Sequence, residues 1–280
     1  MEALGARHVR DTRSLTFGTT SDLWLIVADD KPLVLRRYET NEIIDVLPRV
    51  VEYEAIALTA ARSVLGTVVP EPIVFDADGA HAGRPSLVMT FLPGTPVIHA
   101  LDPRRVASPL AHLHASAAPS DLPRYHHWFD AEKIAVPAWT RSPGAWAKLI
   151  EVVRGAQPEA QDVFLHRDYH PANLLWRGDC LSGVVDWPFS CRGPRGVDVA
   201  HTRSNLALVD GVAEADRFLD AYRELVPTYV HHLWWDVADL FSGDDGFSGV
   251  IAFNALGGNL DVNLMRTRAD DWAEALAAMV

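Results

Sequence analysis

The sequence predicts an α+β fold in two lobes: a small β-rich N-terminal lobe carrying one helix, and a larger, mostly helical C-terminal lobe. Three observations carry this. Residues 1–92 alternate short apolar runs with turn residues and hold one long stretch at helical spacing. The Pro/Gly interruption LPGTPV at 92–97 then breaks the pattern. Beyond it apolar residues recur at helical spacing, with strands expected only around residue 164 and at 182–186. The expected division is therefore an N-terminal lobe over 1–92, a hinge at 93–97 and a C-terminal lobe over 98–280.

Taken in order, Leu15 to Gly18 reads as a strand. The apolar runs 23–28 and 33–38 flank Asp29-Asp30-Lys31-Pro32, whose turn chemistry predicts a β-hairpin. Residues 48–65 begin with Pro48 and are followed by Gly66, the proline-first, glycine-after signature of a helix. EPIVFDADG and RPSLVMTFL read as a second strand pair. Helices are expected at 102–116, 143–155, 211–225, about 229–241 and 267–279. No repeat or low-complexity tract interrupts them.

Of the 280 residues 49% are hydrophobic, ordinary for a globular protein with a real core, and the formal net charge is -12. That balance argues against a nucleic-acid binder, which needs basic patches for phosphates. The acid is uneven: residues 198–280 hold 14 Asp and Glu against five Arg. A solvated acidic surface accounts for most of it, and a field that attracts a cationic small molecule is the functional reading. Cys180 and Cys191 make neither a disulfide framework nor a four-ligand metal site. No apolar run approaches the roughly 18–20 residues of a membrane span. The first residues lack the apolar core of a signal peptide, so a cytoplasmic protein without a membrane partner is expected.

Chemistry concentrates in FLHRDYHPANLLW, residues 164–176, where apolar runs flank a polar loop. About ten residues on, LSGVVDWPFS supplies a strand ending in Asp186. Asp and Asn oxygens are hard ligands suited to Mg²⁺, which leans on substrate phosphates. A free carboxylate beside that metal can orient a hydroxyl and accept its proton. Asp168 is thus the expected base, with Asn173 and Asp186 as metal ligands, a set of parts suited to phosphoryl transfer.

His166-Arg167-Asp168 followed five residues later by Asn173 resembles the kinase catalytic loop H-R-D-x-x-x-x-N, and Asp186-Trp187 resembles the metal-binding D-F-G with Trp for Phe. The fuller string HRDYHPANLLW…GVVDW is most similar to the aminoglycoside phosphotransferase-like family, whose members phosphorylate antibiotics, choline, homoserine and other small alcohols. The resemblance implies a protein-kinase-like fold and ATP or GTP with Mg²⁺ as cofactors. It implies catalytic-loop roles for His166, as a buried prop, and for Arg167, and a structural role for Asp198, bracing that loop. It places Val34 near the adenine, Arg36 or its neighbour Arg37 in the role of the phosphate-binding lysine, and Glu54 or Glu52 as the helix acid that pairs with it. FGTTS, with Gly18 and Thr19, stands where the phosphate-covering loop belongs, and Met89 to Leu92, with Phe91, where the backbone meets the purine. The chain from Asp186 to RGPRGVDVAH at 192–201 is too short for a long activation segment, which disfavours a protein substrate.

Alternatives stand beside this reading. His166, Asp168 and His170 alternate as a zinc triad could, making a metal-dependent hydrolase conceivable, but they leave Asn173 and Asp186 without a task. WWDVADLFSGDDG at 234–246 offers Trp235, Asp236 and Asp239 to a substrate, or is a helix with an acidic face and a capping turn. The expected acceptor is a small hydroxyl compound, first a cationic amino-sugar, otherwise a macrolide, a sugar or an amino-alcohol. A kinase homologue that binds nucleotide without transfer is the rival of another class.

Overall fold

The computed structural model describes residues 9–15, 21–38, 47–243 and 249–280, and the side chains of residues 10, 11, 249, 251 and 252 are outside that description. The chain forms two compact units. The first comprises residues 1–95, 119–123 and 174–190, and the second 96–118, 124–173 and 191–280. The expected strand from Leu15 to Gly18 lies largely outside the described residues; the strand seen there is Val9–Leu15.

The first unit is built on an antiparallel sheet of β1 (Val9–Leu15), β2 (Ser21–Ala28), β3 (Lys31–Tyr38), β4 (Pro72–Asp76) and β5 (Ser86–Thr90), in the order β1-β2-β3-β5-β4. Ala28 pairs with Lys31, so β2 and β3 are joined by a two-residue turn. Its central residues Asp29 and Asp30 have φ of +46° and +64°, the left-handed pair a tight hairpin turn demands and which Asp tolerates. Ile26, Ala28, Leu33 and Val88 pack together on one face. Helix α1 (Val50–Leu65) buries Val50, Glu54, Ala57, Leu58 and Ala61, the spacing of a single stripe. It ends at Gly66, φ +70°. Strands β6 (Leu174–Arg177) and β7 (Cys180–Val184) add a hairpin to this unit and lead into Asp186.

The second unit is mostly helical: α2 (Pro103–Ala115), α3 (Pro143–Arg154), α4 (Gly196–Asp210), α5 (Val212–Leu225), α6 (Leu233–Leu240), α7 (Gly249–Ala255) and α8 (Val262–Ala277). Asp102 caps α2 by accepting the N–H groups of Arg104 at 2.9 Å and Arg105 at 3.3 Å, and Pro103 fills the first helical position. Two short strands, β8 (Asp162–Leu165) and β9 (Cys191–Pro194), pair antiparallel with Leu165 opposite Cys191. The polar loop therefore leaves a strand end. Helix α4, which packs on α5, α6 and α8, is the axis of the unit. Its first residue, Gly196, allows the Trp235 ring to sit where a β-carbon would approach to 2.4 Å. Among the described residues no helix is long and apolar enough to cross a membrane.

Candidate active site

In the second unit the loop following β8 is tied down by Asp198 in the first turn of α4. Asp198 is fully buried and accepts the backbone N–H of His166 and of Arg167, both at 2.8 Å. Its remaining partner is His114 at 3.1 Å, itself 2.7 Å from the Tyr222 hydroxyl. Burial works against the Asp198 charge, but His114 and the loop N–H groups hold the carboxyl below its usual range. The loop needs such an anchor because Arg167 sits at φ +76°, where a side chain is strained. Thr202, one turn along the helix from Asp198, donates to the Tyr169 carbonyl at 2.9 Å, and the Tyr169 hydroxyl donates to the Val106 carbonyl at 2.8 Å. His166 is fully buried, with Nδ1 3.3 Å from the Asp168 N–H.

Asp168 is thereby presented at a fixed point. Asn173 Nδ2 donates to its carbonyl at 2.8 Å and to Oδ2 at 3.0 Å. On the other carboxylate oxygen, His201 Nε2 lies at 3.2 Å and His170 Nε2 at 3.4 Å. His201 reaches Asp239 Oδ1 with Nδ1 at 3.0 Å, so one imidazole bridges two carboxylates. Burial disfavours its charge, but Asp239 and then Asp168 outweigh that, and the His201 pKa is pushed from 6.5 up to about 10. Burial likewise opposes the charge on Asp168, yet His170 and His201 hold its carboxyl well below the ordinary value. The two histidines and Asp168 come within 4.8 Å of one another, the grouping a metal would need. His201, however, is poised as a cation between its two acids, and the triad of His166, Asp168 and His170 is not formed: His166 is turned into the buried prop position.

The His201 bridge has a measurable consequence. A histidine whose pKa is raised by folding contributes stability that is present in full below its unfolded value and lost as pH climbs through the folded one. The melting-temperature gap between the wild type and His201→Gln is expected to be widest at or below pH 6.5 and to narrow toward pH 10. A gap that does not change with pH would show that the imidazole is uncharged there.

A cavity of about 710 Å³ opens within the second unit, lined by Trp128, Trp139, Arg167, His201, Asn205 and Asp239, among others. Two residues expected to serve a substrate do not reach it. Asp236 is fully buried, 2.8 Å from His231 and 3.3 Å from Arg203, and Trp235 is buried against Gly196. The stretch that suggested them, residues 234–246, begins on α6, whose residues Trp234 to Ala238 are buried in packing. Asp239, one turn on, does line the cavity. The remaining acids of that stretch, Asp244 and Asp245, lie outside the described residues. Sequence reasoning missed His201; its spacing of three residues from Asp198 puts both on the side of α4 that meets the loop.

In the first unit, alternation along β3 sends Arg36 and Tyr38 to the face covered by α1. There Arg36 Nη1 is 3.1 Å from Glu54 and 2.7 Å from Asp186 Oδ1, and the Tyr38 hydroxyl bonds to the second Glu54 oxygen. Arg36 and Glu54 are 4% and 0% exposed. The pairing selects among the sequence alternatives: Arg37 reaches only the Ala82 carbonyl, and Glu52 pairs with Arg49 at the surface. Burial pushes the Glu54 carboxyl up and Arg36 pulls it back. Asp186 is held at φ +70°, with one oxygen on Arg36. Val34 stands directly across from Met89 in the β3–β5 pair, and the Phe91 N–H donates to the Pro32 carbonyl at 3.3 Å, so that N–H already has a partner. Gly18 and Thr19 lie outside the described residues.

The donor chemistry fits a hard divalent cation. Asn173 commits its Nδ2 to Asp168, leaving Oδ1 as a donor, and Asp186 commits Oδ1 to Arg36, leaving Oδ2 on a side chain that is 36% exposed.

A sequence profile of the phosphotransferase enzyme family matches residues 11–235. The homoserine kinase of Methylocella silvestris is 27% identical over 223 residues, covering 71% of this chain and 65% of that protein. The chain spans between 46% and 65% of the length of the curated relatives it matches. Among solved structures, the microcompartment-associated aminopropanol kinase aligns at a TM-score of 0.63 with 16% identity, over 99% of this chain and 94% of the other. A thermostable mutant of the aminoglycoside phosphotransferase APH(4)-Ia, in ternary complex with AMP-PNP and hygromycin B, aligns at 0.58 with 14% identity, over 96% and 95%. These likenesses establish the protein-kinase-like fold.

Proposed function

The chain belongs to the phosphotransferase enzyme family, and from that premise we propose that it moves the terminal phosphoryl group of a nucleoside triphosphate, ATP or GTP, to the hydroxyl of a small amine-bearing alcohol. The observation that carries this reading is the fixation of Asp168: a carboxylate held ionised, on a loop whose backbone is bonded to a buried aspartate and whose asparagine is bonded back to it.

In the proposed reaction the acceptor oxygen forms a bond to the γ-phosphorus while the bond from that phosphorus to the β–γ bridging oxygen breaks. Asp168 orients the acceptor O–H and takes its proton as the new bond forms. A carboxylate with so low a pKa accepts a proton only late, which suits a transfer whose transition state needs positioning more than deprotonation. Asn173 and Asp186 are the proposed magnesium ligands; the ion, when bound, supplies positive charge to the phosphate oxygens. Arg36 takes the place of the usual lysine and orients Asp186, with Glu54 and Tyr38 fixing the arginine. Val34 and Met89 offer apolar surface to the purine.

The amino-sugar acceptor expected from the acidic C-terminal region loses much of its basis. Asp210 pairs with His99, Asp216 and Asp236 with Arg203, Asp239 with His201, and Asp270 bonds to Thr140 and the Trp146 indole. Those carboxylates already have partners inside the unit. The relatives named for homoserine and aminopropanol support a compact amino-alcohol instead. A mass-spectrometric screen for the gain of one phosphate, run over hydroxy amino acids, amino-alcohols, aminoglycosides and macrolides with ATP or GTP and Mg²⁺, tests this. Product is expected from the first two classes. Stabilisation by nucleotide with no product from any class would favour a nucleotide-binding protein without transfer activity.

A further inference from the structure

The amine-bearing acceptor leaves one feature of the cavity without a use, and that feature deepens the phosphotransfer reading on which it rests. Arg167 lines the cavity and is 4% exposed. Its guanidinium carbon lies 4.1 Å from the centre of the Trp128 ring and 4.6 Å from that of Tyr125. Nη2 is buried without a hydrogen-bond partner, and among the described residues no carboxylate pairs with the group. The other buried arginines are treated differently: Arg36 is matched by Glu54 and Asp186, and Arg203 by Asp216 and Asp236. An interior cation faced only by rings is costly, and folds avoid it unless something else neutralises it.

The acids nearby are not free to do so. Asp239, on the same cavity wall, holds His201, and His201 holds Asp168 on its other side. Both acids are thus committed to His201, and among the described residues neither lies within ion-pair distance of the guanidinium. Its position is imposed by the backbone, since the residue is locked at φ +76° with its N–H on Asp198. We propose that Arg167 is the anion-binding group of this cavity and that the acceptor carries a carboxylate beside its hydroxyl. The planar fork of a guanidinium matches the two oxygens of a carboxylate, and ring stacking holds that fork in one plane. Hydroxy amino acids satisfy this; amino-alcohols lacking the acid do not.

The test uses homoserine, its methyl ester and 3-aminopropan-1-ol, which differ at the carboxylate. Calorimetric titration of the full chain, with a non-hydrolysable ATP analogue and Mg²⁺, reads binding without turnover. Homoserine is expected to bind about tenfold or more tightly than either of the others, as a charge-assisted pair allows. Arg167→Gln is expected to remove that preference and Arg167→Lys to keep part of it, with circular dichroism confirming the fold of each. Equal binding of the three probes by the wild type, binding of none, or an equal loss for all three in Arg167→Gln overturns the proposal; the wild-type comparison decides even where the variant does not fold. Phosphate gain is measured alongside. A carboxylate preference that vanishes in Arg167→Gln with no phosphorylated product supports the anion site and sinks phosphotransfer. Product from all three at equal kcat/KM, unchanged in Arg167→Gln, does the reverse.

Discussion

Replacing Asp168 by asparagine is expected to lower kcat for phosphoryl transfer by about 10²–10⁴-fold, the range that removal of a positioned proton acceptor produces. The substitution keeps the shape and the hydrogen bond from Asn173, and it touches neither Asp198 nor the backbone N–H groups that Asp198 holds. Far-ultraviolet circular dichroism and nucleotide binding are therefore expected to stay as in the wild type. What changes is the charge between His201, His170 and the acceptor. His201 keeps Asp239 but loses its second acid, so its raised pKa is expected to fall part of the way back. Turnover by the variant at the wild-type rate would refute the assignment of Asp168 as the group that orients the hydroxyl.

The largest effect on stability is expected at the buried cluster of the first unit. Arg36→Met removes the only cation facing Glu54 and Asp186 among the described residues, and leaves a fully buried carboxylate beside Tyr38. Breaking a buried pair from one side costs about 3–5 kcal/mol, because the orphaned charge stays desolvated. Glu54 can escape by taking up a proton. Its folded pKa, already raised above 4.5 by burial, rises further when Arg36 is gone. A carboxyl with a raised folded pKa loses stability as pH increases from its unfolded value toward its folded one. The deficit of Arg36→Met in urea denaturation is thus expected to grow from about pH 5 upward, and Arg36→Met with Glu54→Leu to recover part of it. A deficit independent of pH would mean that Glu54 is not the charge left behind.

Much of this was legible in the residues. The stripe of α1 and the alternation of β3 put Glu54 and Arg36 on facing surfaces. Asp102-Pro103 marked the start of α2 to within a residue. Helix α4 was not foreseen, because it is buried nearly all round: Val197, Val199, Ala200, Thr202, Leu206, Ala207 and Val209 leave no polar face from which to read a period. His201 was hidden with it. Helix α8 starts at Val262, where an early expectation placed 267; the overlooked signal was Asp261, whose side chain accepts from Asn263 and Leu264. Asp236 misled for a different reason. Acidic residues on a helix are usually solvated, and only the tertiary partners Arg203 and His231 make an inward one possible.

The interleaving of the two units along the chain bears on how the protein is made. A ribosome that has released residue 95 has delivered the sheet and α1, but not β6, β7 or Asp186. At translation speeds of about 5–20 residues per second, the missing strands emerge roughly five to twenty seconds later. During that interval Arg36 has Glu54 but not its second acid, and the nascent N-terminal part is one hairpin short of its finished form. Cutting the gene at residue 95 would fix that immature state permanently, so an expression boundary there yields an incomplete unit.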